Sequence, residues 1–455
     1  MINSLSDTIV ALATAPGTGA IAVVRLSGTD AIEICNKVFP SKNLQDVPSH
    51  TVHFGTIRKE KEILDEALVT VFKAPHSYTK ENTVEVSTHG SPYIINKIMQ
   101  LFVEGGARSA KPGEFTQRAF LNGQLDLAQA EAVADLIASD SEASHQAAMN
   151  QMRGGFSTKI KDLRDQLIGF ASMIELELDF GEEDVEFADR SQLTNLILEL
   201  QKVIGALISS FDQGNVIKEG IPTVIAGKPN AGKSTLLNTL FNEDKAIVTD
   251  IAGTTRDVIE DELTINGIKF RFIDTAGLRE AKDAVEAIGI KKTREKMSEA
   301  SLILYLFDVE TTTIDELQLT TLELDNLGKP YLLIGNKIDK LPDYEKRFSS
   351  FKNITYISAK TQIRIDHLND LLLETVNLKD FKTGDTVVTN IRHFESLINT
   401  RTALDKTLEG IDEEISGDFL AMDIRQALHH LGLITGEIST DDLLESIFSN
   451  FCIGK

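Results

Sequence analysis

The stretch GKPNAGKST, residues 227–235, constrains this chain more than any other. It fits G-x-x-x-x-G-K-[ST] and stands between the apolar run TVIAG and the segment LLNTLF. A strand that ends in such a loop and continues as a helix turns backbone N–H groups inward around phosphate oxygens, with the helix dipole behind them. Asn230, Ala231, Gly232, Lys233, Ser234 and Thr235 form this cradle. Lys233 brings a point charge to the β- and γ-phosphates, and the Ser234 hydroxyl is a ligand for Mg²⁺. The surrounding chain must therefore be an open α/β sheet that carries its ligand at the strand ends.

Three further motifs follow in order. DTAG (Asp274, Thr275, Ala276, Gly277) closes the strand IKFRFI, where Asp274 holds the Mg²⁺ shell and the Gly277 N–H senses a γ-phosphate. NKID ends PYLLIG and supplies Asn336, Lys337 and Asp339. The Asp339 carboxylate accepts two hydrogen bonds from guanine, N1–H and the exocyclic amine. Adenine lacks both donors and leaves that carboxylate unpaired, so the base is guanine. SAK (Ser358, Ala359, Lys360) backs the base through its N–H groups. Between the first two motifs lies TDIAGTTRD, where Thr249, Asp250, Ile251, Ala252, Gly253, Thr254 and Thr255 occupy the place of a nucleotide-ordered switch and Thr255 is a second Mg²⁺ ligand. The four motifs together predict a GTP site.

Hydrolysis needs a water-orienting group, and the glutamine that directly follows this aspartate motif in Ras-like enzymes is here Leu278. Glu286, twelve residues past Asp274, is a candidate. Read by itself, a lone glutamate on a presumed helix is a solvated side chain.

The flanks have another texture. TIVALAT, GAIAVVRLSG, TVHFGTI, EALVTVFKAP and NTVEVSTHG are β-branched runs, and SPYIINKIMQLFVEGG reads as a helix capped at Ser91 and stopped at Gly105. From Ala119 the chain is Ala-, Gln- and Glu-rich. Leu193, Leu196, Ile197, Leu200, Val203, Ile204, Leu207 and Ile208 keep helical spacing, and helical texture resumes at IRHFESLINTRTALDKTLEGI. The acidic break DFGEEDVEF reads as a solvated loop rather than a metal site. The predicted fold is multidomain: an α+β domain at 1–118, a discontinuous helical domain at 119–217 plus 380–455, and an inserted, doubly wound P-loop domain at 218–379.

A net charge of −23 over 455 residues argues against broad binding of a phosphate backbone, which rests on Lys and Arg. Two cysteines cannot form a disulfide framework, no run is long and apolar enough for a membrane span, and the first residues lack a basic leader; the expected location is the cytoplasm. The last residues, FCIGK, fit C-a-a-X only superficially, because Lys is not a usual final residue of that signal. STDDLLESIFSNF before them predicts a docking helix, capped at Ser439 or Thr440 with Leu443, Leu444, Ile447 and Phe448 on one face.

PGTGAIAVVRLSG, PGEFTQRAFLNGQLDLAQAEAVADLI, GKPNAGKSTLLN, TDIAGTTRDVIE, DTAGLRE and FCIGK resemble the signatures of the MnmE (TrmE) family of tRNA-modification GTPases, and they span the chain. The resemblance implies a homodimer, built through an N-terminal domain similar to tetrahydrofolate-binding domains. It implies a heterotetramer with an FAD-binding MnmG (GidA) partner that modifies the wobble uridine of certain tRNAs at carbon five. By the same resemblance K⁺ acts where an arginine finger would, held by Asn230, Thr249, Ile251 and Thr254. Glu286 orients the water, and Arg256 and Arg279 support the switches. Arg25, Glu85, Gln124 and Lys455 contact a 5-formyl- or methylene-type tetrahydrofolate, and Cys452 is a candidate active-site thiol. Taken alone, Arg25 and Glu85 would as readily pair with each other. The reading from another class is a ribosome-assembly GTPase of the Era or Der type, which shares a similar switch; a basic KH-type loop is missing here. A membrane-linked, dynamin-like GTPase has no lipid-binding helix to support it.

Overall fold

In a computed structural model of the chain the described residues are 7–179, 190–244, 261–273, 295–341, 343–351, 354–375, 386–449 and 451–454. They divide into two compact units: Met1–Ala138 with Ala148–Ala206 and Arg392–Lys455, and Ser139–Ala147 with Leu207–Ile391. Among the described residues no helix is long and apolar enough to cross a membrane.

The first unit holds a six-stranded mixed sheet, in the order β3-β4-β5-β2-β1-β6. Its strands are β1 (Ile9–Leu12), β2 (Gly19–Ser27), β3 (Thr51–Lys59), β4 (Glu62–Phe72), β5 (Thr83–Gly90) and β6 (Arg108–Ser109). The five β-branched runs of the sequence become β1 to β5. Their alternation puts Val24, Leu26, Val69, Val71, Val84 and Val86 on the face covered by helices Ala31–Val38 and Pro92–Glu104. Ser91 stands at the N-cap of the second helix without a side-chain capping bond, so Pro92 in the first turn carries that start. Cys35 lies wholly inside this core, and burial pushes its thiol up to about 12.

The Ala-rich stretch after Ala119 divides into helices Glu114–Leu121, Leu127–Ala138, Glu142–Met152 and Gly155–Asp179. The breaks have local causes. Asp126 and Gln129 cap each other reciprocally, at 2.8 and 3.0 Å, and Ser141 accepts from the Ser144 N–H at 3.2 Å. Helix Arg190–Ser209 buries Leu193, Ile197, Leu200, Ile204 and Leu207, whereas Val203 is exposed; its apolar seam is narrower than the spacing suggested. Except for Asp179, the acidic break lies outside the described residues.

One buried ionic cluster pins the point where the chain re-enters this unit. Arg392 Nε and Nη2 donate to Glu131 Oε1 and Oε2 at 2.9 and 2.8 Å, and Arg392 also donates to the Leu433 and Ile434 carbonyls that end helix Gly417–Thr435. His393, wholly buried and 5.1 Å from the Phe156 ring, sets Nε2 at 2.7 Å from Glu131 Oε2. Its Nδ1 has no partner, while its Nε2 also lies 2.8 Å from Arg392 Nη2. Burial pushes the imidazole below its usual range and Glu131 only partly offsets this. Burial alone would raise the Glu131 carboxyl; His393 and Arg392 outweigh it and hold it at about 2.

The second unit is a six-stranded sheet in the order β12-β11-β10-β7-β9-β8. These strands are β7 (Ile221–Ala226), β8 (Asp261–Ile265), β9 (Ile268–Phe272), β10 (Leu302–Asp308), β11 (Tyr331–Asn336) and β12 (Ile354–Tyr356). All pairs are parallel except the β8–β9 hairpin. Its apolar strands are covered on both faces, as a doubly wound sheet requires. Segment 139–147 packs on the hairpin turn: the Ala143 N–H donates to the Gly267 carbonyl at 3.3 Å and Lys269 pairs with Asp140 at 2.6 Å.

Candidate functional site

The nucleotide cradle forms where β7, β10 and β11 end. Lys233 opens helix Lys233–Asp244 and folds its ammonium back onto the loop, donating to the Gly227 and Lys228 carbonyls at 2.7 and 3.0 Å. Burial lowers its pKa, which marks a cation set in a partly desolvated ring of carbonyls. Asn230, Ser234 and Thr235 are exposed along the rim and Ala231 is buried.

Asn336 ties the cradle to the base-reading loops. Its Nδ2 donates to the Ala231 carbonyl at 2.8 Å, and its Oδ1 accepts from the Ala359 N–H at 3.0 Å. Gly232, with φ at +101°, leaves room for that amide, which any Cβ there would strike. Lys337, itself left-handed at φ +68°, donates to the Asn230 carbonyl and to Asp308 Oδ2, both at 2.7 Å. Ser358 donates to Asp339 Oδ1 at 2.6 Å and so fixes the carboxylate assigned to guanine. Thr239, on the helix after the cradle, donates to the Ala359 carbonyl at 2.9 Å. Lys360 is exposed. Three separate motifs thus share one network.

Sequence reading missed Asp308 and Thr239. Asp308 closes β10 in register with Asn336, and burial would raise its carboxyl, but Lys337 holds it below the usual range. An aspartate that ends an apolar strand beside the NKID strand was the available signal. Thr249, Asp250, Ile251, Ala252, Gly253, Thr254, Thr255, Arg256, Asp274, Thr275, Ala276, Gly277, Arg279 and Glu286 lie outside the described residues, as does Lys455.

The first unit carries a second constellation. Arg25 on β2 faces Glu85 on β5 in register, and its Nε and Nη2 approach Glu85 Oε1 at 2.8 and 2.7 Å. The pairing open from sequence is therefore made. The guanidinium lies over the Tyr78 and Phe115 rings, 5.8 and 5.7 Å from their centroids, and Tyr78 Oη bonds Thr116 Oγ1 at 2.9 Å. Burial raises the Tyr78 phenol. On the same helix as Phe115 and Thr116, Arg118 is wholly buried and pairs with Asp7, Glu81 and Glu114. Gln124 is exposed in the turn after helix Glu114–Leu121.

The chain end arrives at this same block. Helix Asp441–Phe448 is capped by Thr440 and packs Leu444 and Phe448 against Leu127 and Ala130. Ile453 then forms an antiparallel bridge with Pro112, and the Cys452 carbonyl accepts from the Gly113 N–H at 3.3 Å. Cys452 is exposed.

Residues 8–124 match the family described as GTP-binding protein TrmE N-terminus, and residues 127–452 match the MnmE helical domain. The chain is 63% identical over 455 residues to the tRNA modification GTPase MnmE of Cytophaga hutchinsonii, covering 100% of this chain and 99% of that one. It is 53% identical over 472 residues to the MnmE of Christiangramia forsetii, covering 99% and 100%. A solved FeoB G domain from Methanococcus jannaschii is 23% identical over 34% of this chain and 96% of its own, with a TM-score of 0.25. With both family regions matched in order and relatives similar from end to end, the chain belongs to the MnmE family.

Proposed function

We propose that this protein is a tRNA modification GTPase whose hydrolysis of GTP drives formation of an aminomethyl-type group on carbon five of the wobble uridine. The observation that carries it is the single network joining Lys233, Asn336, Lys337, Asp339 and Ser358 in a chain similar over its whole length to named MnmE proteins. On this reading residues 1–118 bind folate and dimerise, 119–217 with 380–455 form the helical domain, and 218–379 form the G domain. The protein works in the cytoplasm as a homodimer and joins an FAD-binding MnmG partner to act on tRNA.

Ser234 and Thr255 would hold Mg²⁺, with Asp274 in its shell, and Asn230, Thr249, Ile251 and Thr254 would hold K⁺. The described part of the cradle suits this: Asn230 is exposed on the rim, and Lys337 already occupies its carbonyl. A K⁺ held there would supply charge stabilisation as the bond between the γ-phosphoryl group and the leaving GDP breaks, and Glu286 would orient the attacking water. GTP hydrolysis is expected to rise strongly in K⁺ over Na⁺; equal rates in the two salts would sink the assignment of Asn230.

A 5-formyl- or methylene-type tetrahydrofolate would sit at Arg25 and Glu85, with Gln124 and Lys455 at its edges, and would supply the one-carbon unit. A carboxylate locked by a guanidinium beside two aromatic rings suits a flat amino-heterocycle. The whole reading is tested by deleting the gene and measuring tRNA nucleosides by mass spectrometry. Loss of the modified wobble uridine is expected, restored by the intact gene but not by Cys452→Ser; an unchanged profile would remove the proposal.

A further inference from the structure

The seat of the last residues is made almost entirely of backbone. Ile453 bridges Pro112, and the Cys452 carbonyl takes the Gly113 N–H. Gly454 is buried although Cys452 and Ile453 beside it are exposed. Its φ is +96°, and a Cβ there would strike the Leu12 carbonyl oxygen and lie 3.0 Å from the Leu12 carbonyl carbon and 3.2 Å from the Ala13 Cα. Leu12 ends β1, so its backbone cannot yield without disturbing the strand that pairs with β2. Gly113 is built the same way on the other side: φ is +66°, and a Cβ would lie 2.6 Å from the Phe448 carbonyl oxygen and 3.0 Å from the Phe451 Cβ. Both positions refuse any L side chain twice, by conformation and by space.

Gly113 begins the helix that carries Phe115, the ring under Arg25. Gly113 thus links the thiol-bearing tail to the helix whose Phe115 ring lies 5.7 Å from the Arg25 guanidinium. We infer that Gly454 and Gly113 are positioning residues, which hold the Cys452 thiol at the edge of the Arg25–Glu85 site. The inference rests on the proposed role of that site and deepens it. Neither glycine touches a reacting group; each acts through where it lets the chain pass.

The cysteine supplies its own test. A thioester of residues 1–451 can be ligated to synthetic Cys-Ile-Xaa-Lys, with Xaa as glycine, L-alanine or D-alanine, restoring the full chain. D-alanine favours positive φ and turns its methyl to the opposite side of the backbone from the L form. Seating is read as hydrogen-exchange protection of residues 449–455, and function as GTP hydrolysis and as wobble-uridine modification with the partner present. L-alanine is expected to abolish protection and lower modification at least tenfold with GTP hydrolysis unchanged, and D-alanine to restore both. Gly113→Ala is expected to reproduce the L-alanine result without touching the tail's sequence. Retained protection with L-alanine would overturn the inference, as would failure of D-alanine to rescue. Lost protection with full modification would overturn the inference, because an unseated thiol would then serve as well as a seated one. Parallel loss of GTP hydrolysis would show a folding defect and overturn the assignment of a positioning role.

Discussion

Replacing Asp339 with asparagine is expected to lower GDP and GTP affinity by roughly 10²–10⁴ and to create affinity for xanthosine nucleotides. Two charge-assisted hydrogen bonds are at stake, each contributing about 1.5–3 kcal/mol when its partner would otherwise be left unpaired. The Asn amide group would confront the guanine amine donor to donor, whereas xanthine carries an oxygen at that carbon and accepts from it. The side chain should stay in place, because the Ser358 hydroxyl that donates to Asp339 Oδ1 at 2.6 Å can donate equally to an amide oxygen. Titration calorimetry with GDP and XDP checks this. Unchanged GDP affinity would mean that Asp339 does not read the base.

Glu131→Ala should be the most damaging substitution away from either site. It would leave the Arg392 guanidinium without its carboxylate beside wholly buried His393, and removing one partner of such a pair costs about 3–5 kcal/mol. Replacing Glu131 and Arg392 together with apolar residues should recover most of the loss, since a well-packed apolar pair carries no charge that must be kept out of water. Calorimetric unfolding of the single and double variants measures both. A loss under about 1 kcal/mol for the single variant would show that the cluster is only decorative. The sign of the pH dependence follows from the depressed carboxyl. Its contribution is fully present above the ordinary value of 4.5 and fades as pH falls toward about 2, so wild type and variant should converge over that window.

These two sites were unequally legible in the sequence. Asp339 was found at once, because a nucleotide loop needs its residues in one short run at the end of a strand. The same logic located β1 to β5 and the α/β sheet, where alternation and β-branching are local signals. Glu131 and Arg392 are separated by 261 positions, and nothing in the periodicity of either helix announces the other. Arg118 is similar: one basic residue among Ala and Phe gave no sign that it would gather Asp7, Glu81 and Glu114 around itself. The long Ala-rich stretch misled in a different way. Helix propensity was correct for its residues, but the mutual capping of Asp126 and Gln129 breaks it where composition alone would continue. At the tail, sequence suggested a thiol and a docking helix; that two glycines make the seat could be seen only once Leu12 and Phe448 were brought beside them.

The chain leaves and re-enters the nucleotide unit through neighbouring backbone. The Val388 N–H donates to Ser210 Oγ at 3.1 Å, and the Val388 carbonyl lies against Gly214. To the rest of the protein, residues 207–391 are then a loop whose two ends are already fastened together. The entropy of closing that loop has been met inside the insert itself and no longer depends on its length. A short turn joining Ser210 to Val388 could stand in for everything between them, which makes the nucleotide unit a transplantable module in evolution and in the laboratory. The graft would leave behind one piece, segment 139–147, which packs on the β8–β9 turn yet belongs by sequence to the host. A transplanted unit would keep its nucleotide cradle and arrive in its new host without that clasp.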